Sequence, residues 1–285
     1  MENNFKFFRG SDVLLVESDR LPETIEFIRQ NNIKKMMLNS YHGYKDKDIL
    51  FITKVGDYIE ELEIIDGKVD LTGIDKLVNL KKILFRDELN QVLDLSVFQN
   101  LEYCNMLWHK NIRSIAECKK LKRLVLIKVN LVDCNFFAGF ENVLLESLDL
   151  TQSKFENLNF LKNLPNLLEL EIHYSPKLKD ISGLGIYCPN LKKLRLGHCK
   201  NIENYDFINH LKKLEYLGLS DNTSIPNVNF IKGLPLKHFA FVGTNIKDGN
   251  LALCEGIKYV GFDNMKHYTH KFSSVAGLLT SPPKH

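Results

Sequence analysis

Apolar residues recur at the first, fourth and sixth places of a six-residue segment along most of the chain. LKRLVL begins at Leu121, LESLDL at Leu145, LLELEI at Leu167, LKKLRL at Leu191 and LEYLGL at Leu214. Looser copies are IKKMML from Ile33, IEELEI from Ile59, LKKILF from Leu80, LEYCNM from Leu101, LKHFAF from Leu236 and IKYVGF from Ile257. The copies, about eleven in number, follow one another at roughly 20 to 26 residues, a spacing that marks a repeat architecture. Alternation at this period predicts a strand in each copy, with the third and fifth residues facing outward. No copy can bury its apolar side alone. Stacked neighbours do it together, as a parallel ladder.

The stretches between strands are also regular. Leu178-Lys-Asp-Ile181-Ser-Gly-Leu184, Ile202-Glu-Asn-Tyr205-Asp-Phe-Ile208 and Ile225-Pro-Asn-Val228-Asn-Phe-Ile231 share a spacing of apolar anchors around a polar pair. They are too short and broken for long helices, so extended, 3₁₀ or one- to two-turn helical segments are expected. Pro165, Pro189 and Pro235 precede the next hexapeptide, where a turn must end any helix. Before the first copy, Leu21-Pro22-Glu23 opens a helix with Leu21, Ile25 and Ile28 on one face and Asn31-Asn32 at its end, expected to cover the first ladder edge. The expected organisation is an N-terminal cap over 1–32, a solenoid over 33–262, and a C-terminal cap and tail over 263–285.

In-register hexapeptides of this kind resemble the short leucine-rich repeats of the SDS22-like and internalin-like class. The ninth repeat position, often Asn or Cys in that class, is Cys199 and Asn222 in two copies. It departs to Gly67, His109, Ser153, Ser175 and Thr244 in others, which puts the regularity of the turn in question. The resemblance spans roughly Ile33 to Phe262. It implies an α/β solenoid with a parallel sheet on the concave face and short helical, 3₁₀ or extended segments on the convex face. It also implies protein recognition on that sheet. The ending KHYTHK, Lys266 to Lys271, resembles those of bacterial cytosolic members.

Composition narrows the function. The 285 residues carry a formal net charge of +3, with Lys and Arg spread along the chain rather than clustered as a nucleic-acid binder requires. The opening residues lack the apolar run of a signal peptide, and no stretch of about 18 apolar residues exists to span a membrane. A cytoplasmic setting follows as an expectation. There the scattered cysteines Cys104, Cys118, Cys134, Cys188, Cys199 and Cys254 read as small core hydrophobes.

No phosphate-binding loop, nucleophile elbow or HExxH motif is present. Asn222-Thr-Ser matches a glycosylation sequon but falls in the buried turn column. His267 and His270, with Asp263 nearby, read as cap residues rather than metal ligands. Glu169, Glu171, His173 and His198 form the one constellation that would serve a metal-dependent hydrolase. Lys193 and Arg195 in the next copy are placed to neutralise those acids, an arrangement that Glu61 and Lys82 repeat earlier.

Outward positions in the N-terminal half collect an apolar and aromatic cluster. The candidate partner site comprises Leu84, Arg86, Tyr103, Leu107, Trp108, Arg123, Val125 and Ile127, with the two arginines as a charged rim. The function expected is a non-enzymatic scaffold without cofactor or metal. Its partner is another protein, not a nucleic acid or a membrane. A bacterial immunity protein that occludes a toxin is the specific form, and a regulatory subunit of a phosphatase or ligase complex the alternative.

Overall fold

Alternation within the hexapeptides becomes alternation across a sheet. The computed structural model describes residues 5–66, 68–130, 137–140 and 143–272. Contacts divide the chain into two units, the first running to Ile127 and taking in Asn142–Leu144, the second made of Lys128–Glu141 and the chain from Leu145 on. The first contains β1 (Leu14–Leu15), β2 (Lys35–Asn39), β3 (Glu61–Ile65), β4 (Lys82–Phe85), β5 (Leu93–Asp94), β6 (Tyr103–Leu107), β7 (Ile112–Arg113) and β8 (Arg123–Ile127). β1, β2, β3, β4, β6 and β8 pair side by side, all parallel. β5 and β7 pair separately between the ladder strands, again in parallel. In the second unit β9 (Ser147–Thr151), β10 (Glu169–His173), β11 (Lys193–Gly197), β12 (Tyr216–Gly218), β13 (His238–Ala240) and β14 (Tyr259–Gly261) form the same ladder.

Register follows the repeat. Leu148, Leu170, Leu194 and Leu217 align across β9 to β12 and are fully buried, as the fourth hexapeptide position requires. Each of the eleven hexapeptides carries one ladder strand. β1 is an addition, built from the apolar run Leu14-Leu15-Val16, which does not fit the hexapeptide. The first ladder edge is thus covered by a strand, itself bridged in antiparallel by Phe7, and not by the helix. Helix α1 (Leu21–Asn31) instead joins β1 to β2. Ile25 and Ile28 are buried, Pro22 lies in the first turn, and Asn32 ends the helix in the left-handed region at φ 51°.

Between strands the chain forms short 3₁₀ turns, such as Ile74–Lys76, Asn159–Asn163 and Asn229–Ile231, and one short helix, α2 (Gly183–Tyr187). Their starts share a feature that the apolar pattern hides. Two to four residues ahead of the start, an Asp or Asn accepts the backbone N–H of the residue two further on: Asp70 from Thr72 at 2.7 Å, Asp180 from Ser182 at 2.8 Å, Asn227 from Asn229 at 2.9 Å. Such side chains stand in for a backbone turn.

The turns after the strands are regular despite their varied residues. Gln152, Tyr174, His198 and Asp221 all adopt positive φ between 53° and 55°, and Gly243 follows at 70°. The next residue of each copy is buried: Ser153, Ser175, Cys199, Asn222 and Thr244. Asn222 accepts from the Cys199 N–H at 2.7 Å and donates to the Leu196 carbonyl at 2.7 Å, while its own N–H reaches the Thr244 hydroxyl at 3.0 Å. Thr244 satisfies this column across copies as Asn222 does, while Ser153 and Ser175 donate within their own turns to the Thr151 and His173 carbonyls. These departures leave the turn intact, whereas His109 is only half-buried and Trp108 before it lacks the positive φ. Gly67 lies outside the described residues, as does Cys134.

Five described cysteines are free and buried. Burial pushes the Cys188 and Cys254 thiols up to about 12, which suits core hydrophobes. At the C-terminal end Tyr268 is buried against Phe241 and Phe262, and its hydroxyl accepts from the Ile246 N–H at 2.9 Å. Phe272 packs on Phe262. His267 meets the Ile246 carbonyl at 2.9 Å and His270 meets Glu255 at 2.8 Å, so both histidines serve the end of the stack.

Candidate functional site

Outward positions of β4, β6 and β8 lie side by side within the first unit. Lys82, Tyr103 and Arg123 form one row across the three strands, and Leu84, Asn105 and Val125 the next. Leu107 stands beside Ile127 in a third row. Trp108 continues β6, its N–H donating to the Ile127 carbonyl at 2.8 Å. The fold thus gathers the residues singled out from the sequence on three adjacent strands.

The cluster differs in make-up from the continuous apolar patch expected. Asn105, 3 % exposed, occupies the centre of the middle row, and Val125 beside it is only 7 % exposed. Val125 thus supports the surface rather than offering one. Asn105 organises what surrounds it. Its amide donates to the Tyr103 hydroxyl at 3.1 Å and its carbonyl oxygen accepts from the Arg86 guanidinium at 3.3 Å. The Tyr103 ring lies between two cations, the Lys82 ammonium and the Arg123 guanidinium, each 5.8 Å from its centroid. A half-buried tyrosine is in this way fixed in orientation from three sides. Asn105 escaped sequence reasoning because a polar residue at an outward position is unremarkable until its partners are known.

Around this cluster the sheet face is internally neutralised. Lys35 bridges Asp12 and Glu61, both at 3.1 Å, and Lys82 bridges Glu61 at 3.4 Å and Glu63 at 2.7 Å. In the second unit Glu171 meets Lys193 at 2.7 Å, His173 at 3.4 Å and Arg195 at 3.6 Å. His173 first, then Lys193 and Arg195, hold its carboxyl down to about 2 against the burial that pushes it up. His198 does not join this group. It occupies the turn column, stacks on Tyr174 with ring centres 4.2 Å apart, and meets Asp221 at 3.4 Å. The four residues of the hydrolase constellation are therefore not assembled into one site, and Glu171 is occupied by cations. Among the described residues no group of three metal-binding side chains converges.

A second outward feature did not figure among the chosen site residues. Tyr216, His238 and Tyr259 occupy the third hexapeptide position in three consecutive copies, and their rings stack 4.1 and 4.3 Å apart. Two residues later the same copies carry Gly218, Ala240 and Gly261, which leaves the rings free to lie over the strands. At Gly261 an added Cβ would stand 2.9 Å from the Tyr259 ring. An aromatic at one repeat position followed by a small residue at the next outward one was the signal available in the sequence.

Solved structures with a similar fold are leucine-rich-repeat proteins. An internalin, InlF, from Listeria monocytogenes superposes with a TM-score of 0.56 at 15% identity, over 78% of this chain and 68% of that one. The functional domain of InlJ from Listeria monocytogenes, which includes a cysteine ladder, gives 0.52 at 14% identity, over 79% and 48%. TLR13 in complex with ssRNA13 gives 0.56 at 17% identity, over 90% and 39%. The chain spans less than half the length of the latter two. No protein-family model and no curated protein matches the chain. The likeness establishes the leucine-rich-repeat fold.

Proposed function

We propose that this leucine-rich-repeat chain is a non-catalytic scaffold that holds a protein partner on the sheet face of its first unit, centred on Tyr103. The observation that carries the reading is the fixed aromatic at the middle of three strands, held by Asn105 and two cations, with Leu107, Ile127 and Trp108 beside it. Tyrosine, tryptophan and arginine dominate binding energy at protein interfaces. Among the described residues no helix is long and apolar enough to cross a membrane.

An immunity protein that neutralises a toxin by occluding it is the narrower form of this proposal. Occlusion needs a binding surface and no catalytic group. A regulatory subunit would need the same surface, and the partner's identity separates the two. The partner is sought by pull-down from the source cell, and the product of the adjacent gene is tested directly. Tyr103→Ala with Trp108→Ala should weaken its binding by about 2 kcal/mol or more with folding retained. Glu169→Ala with Glu171→Ala, in the second unit, should matter less. The opposite ranking at one salt concentration refutes the site.

A further inference from the structure

Cations on the outward rows of the ladder are of two kinds. Lys35, Lys82, Lys193 and Arg195 each have a carboxylate within 4 Å. Arg86 and Arg123 do not: among the described residues neither meets an acid. Arg86 binds the neutral Asn105 amide, and Arg123 lies over the Tyr103 ring. Both are exposed. They are the pair that brackets the aromatic cluster, one beyond the end of β4 and the other at the start of β8.

Their separation follows from sheet geometry. Two strand spacings and four residues of rise put the two backbone positions about 16 Å apart across the diagonal. The diagonal crosses Asn105, with Tyr103 and Leu107 on either side of it along β6, and Ile127 lies off it, four residues beyond Arg123 on β8. A guanidinium without a carboxylate, held beside apolar side chains, is a receptor for one, because ion pairs of arginine are strong when partly desolvated.

We propose, on the reading that this face is the partner site, that the partner presents an acidic protein segment: two carboxylate side chains, one for each of these arginines, with apolar or aromatic side chains that meet Tyr103 and Leu107. The other cations of the face are already neutralised, so these two set the charge preference. A nucleic acid fits less well. Its phosphates call for a continuous cationic track, whereas this face alternates paired charges and sets the neutral Asn105 between its two open cations, with Leu107 and Ile127 beside them.

The test is selection of a displayed library of random peptides on the intact chain. Enriched peptides are expected to combine acidic with apolar residues. They should bind Arg86→Gln with Arg123→Gln at least about tenfold more weakly than the parent chain. Replacing the acids of a selected peptide by glutamine should give a similar loss on the parent, a check that does not depend on any protein variant folding. Neutral or basic peptides that still require Tyr103 and Trp108 would overturn the acidic partner and leave the site standing. Peptides that bind Tyr103→Ala with Trp108→Ala as tightly as the parent would overturn the site itself. An oligouridine RNA is titrated alongside, read by the fluorescence of Trp108, the single tryptophan. RNA binding tighter than the best peptide, and lost in the arginine variant, would replace the proposal with a nucleic-acid site.

Discussion

His238 sits between the rings of Tyr216 and Tyr259, and burial, with Arg195 nearby, pushes its imidazole down to about 4 from the ordinary 6.5. In the unfolded chain it takes up a proton as pH falls below 6.5, while in the folded chain it stays neutral until about 4. Stability is therefore lost through that window. His238→Phe keeps the stack and should flatten the slope of unfolding free energy against pH there, as read by urea titration. Glu171 acts lower on the scale. Its carboxyl, held at about 2, contributes stability that is present above 4.5 and lost as pH falls towards 2. Asn222 matters at every pH. Asn222→Ala leaves the Cys199 N–H and the Leu196 carbonyl without their partner inside the stack, at a cost of about 2 kcal/mol or more by denaturant unfolding. These roles were unequally legible. That Asn222 belongs to a buried column followed from its repeat position. The shift at His238 depends on which rings stack, and that requires the register.

Among elements, the ladder strands were legible because the alternation of apolar residues is the physical requirement for a strand with one buried face. Leu194→Asp tests the register. It places a carboxylate at a fully buried position of β11 with no cation in the stack, so the variant should lose its cooperative melt or fail to accumulate as folded protein. The 3₁₀ turns were legible as a class, but their start signal, an Asp or Asn such as Asp70, Asp180 or Asn227, looked like ordinary loop polarity. β1 was hidden because Leu14-Leu15-Val16 is apolar without alternation, and only the pairing of Leu14 with Met36 makes it a ladder strand. At the other end, the histidines drew attention where the packing is done by Tyr268 and Phe272. Tyr268→Ala removes a ring buried against two phenylalanines, along with an acceptor for the Ile246 N–H, and should cost about 3 kcal/mol in thermal or denaturant unfolding.

For the molecule as a whole, the fold is shared with proteins only 14 to 17% identical because a repeat constrains few positions: three apolar residues per strand, one hydrogen-bonding residue per turn and a left-handed residue before it. The outward rows are left free, which is why the candidate site was only partly legible. Tyr103, Arg86 and Arg123 could be placed on one face by counting, whereas the burial of Val125 and the part played by Asn105 emerge from cross-strand neighbours. The turn column also bears on how such a chain changes length. β12 aligns with the strands on either side without any offset, and Asn222 is both donor and acceptor along the column. A tandem duplication of 214–235 would set Asn222 beside a second Asn222 and Tyr216 beside a second Tyr216, each a pairing that the column and the stack accept. The duplicated chain should fold with one strand more and a comparable melting temperature. Growth or shrinkage of the gene by whole copies is then nearly neutral to folding, and selection can adjust the reach of the outward sheet face without redesigning the core beneath it.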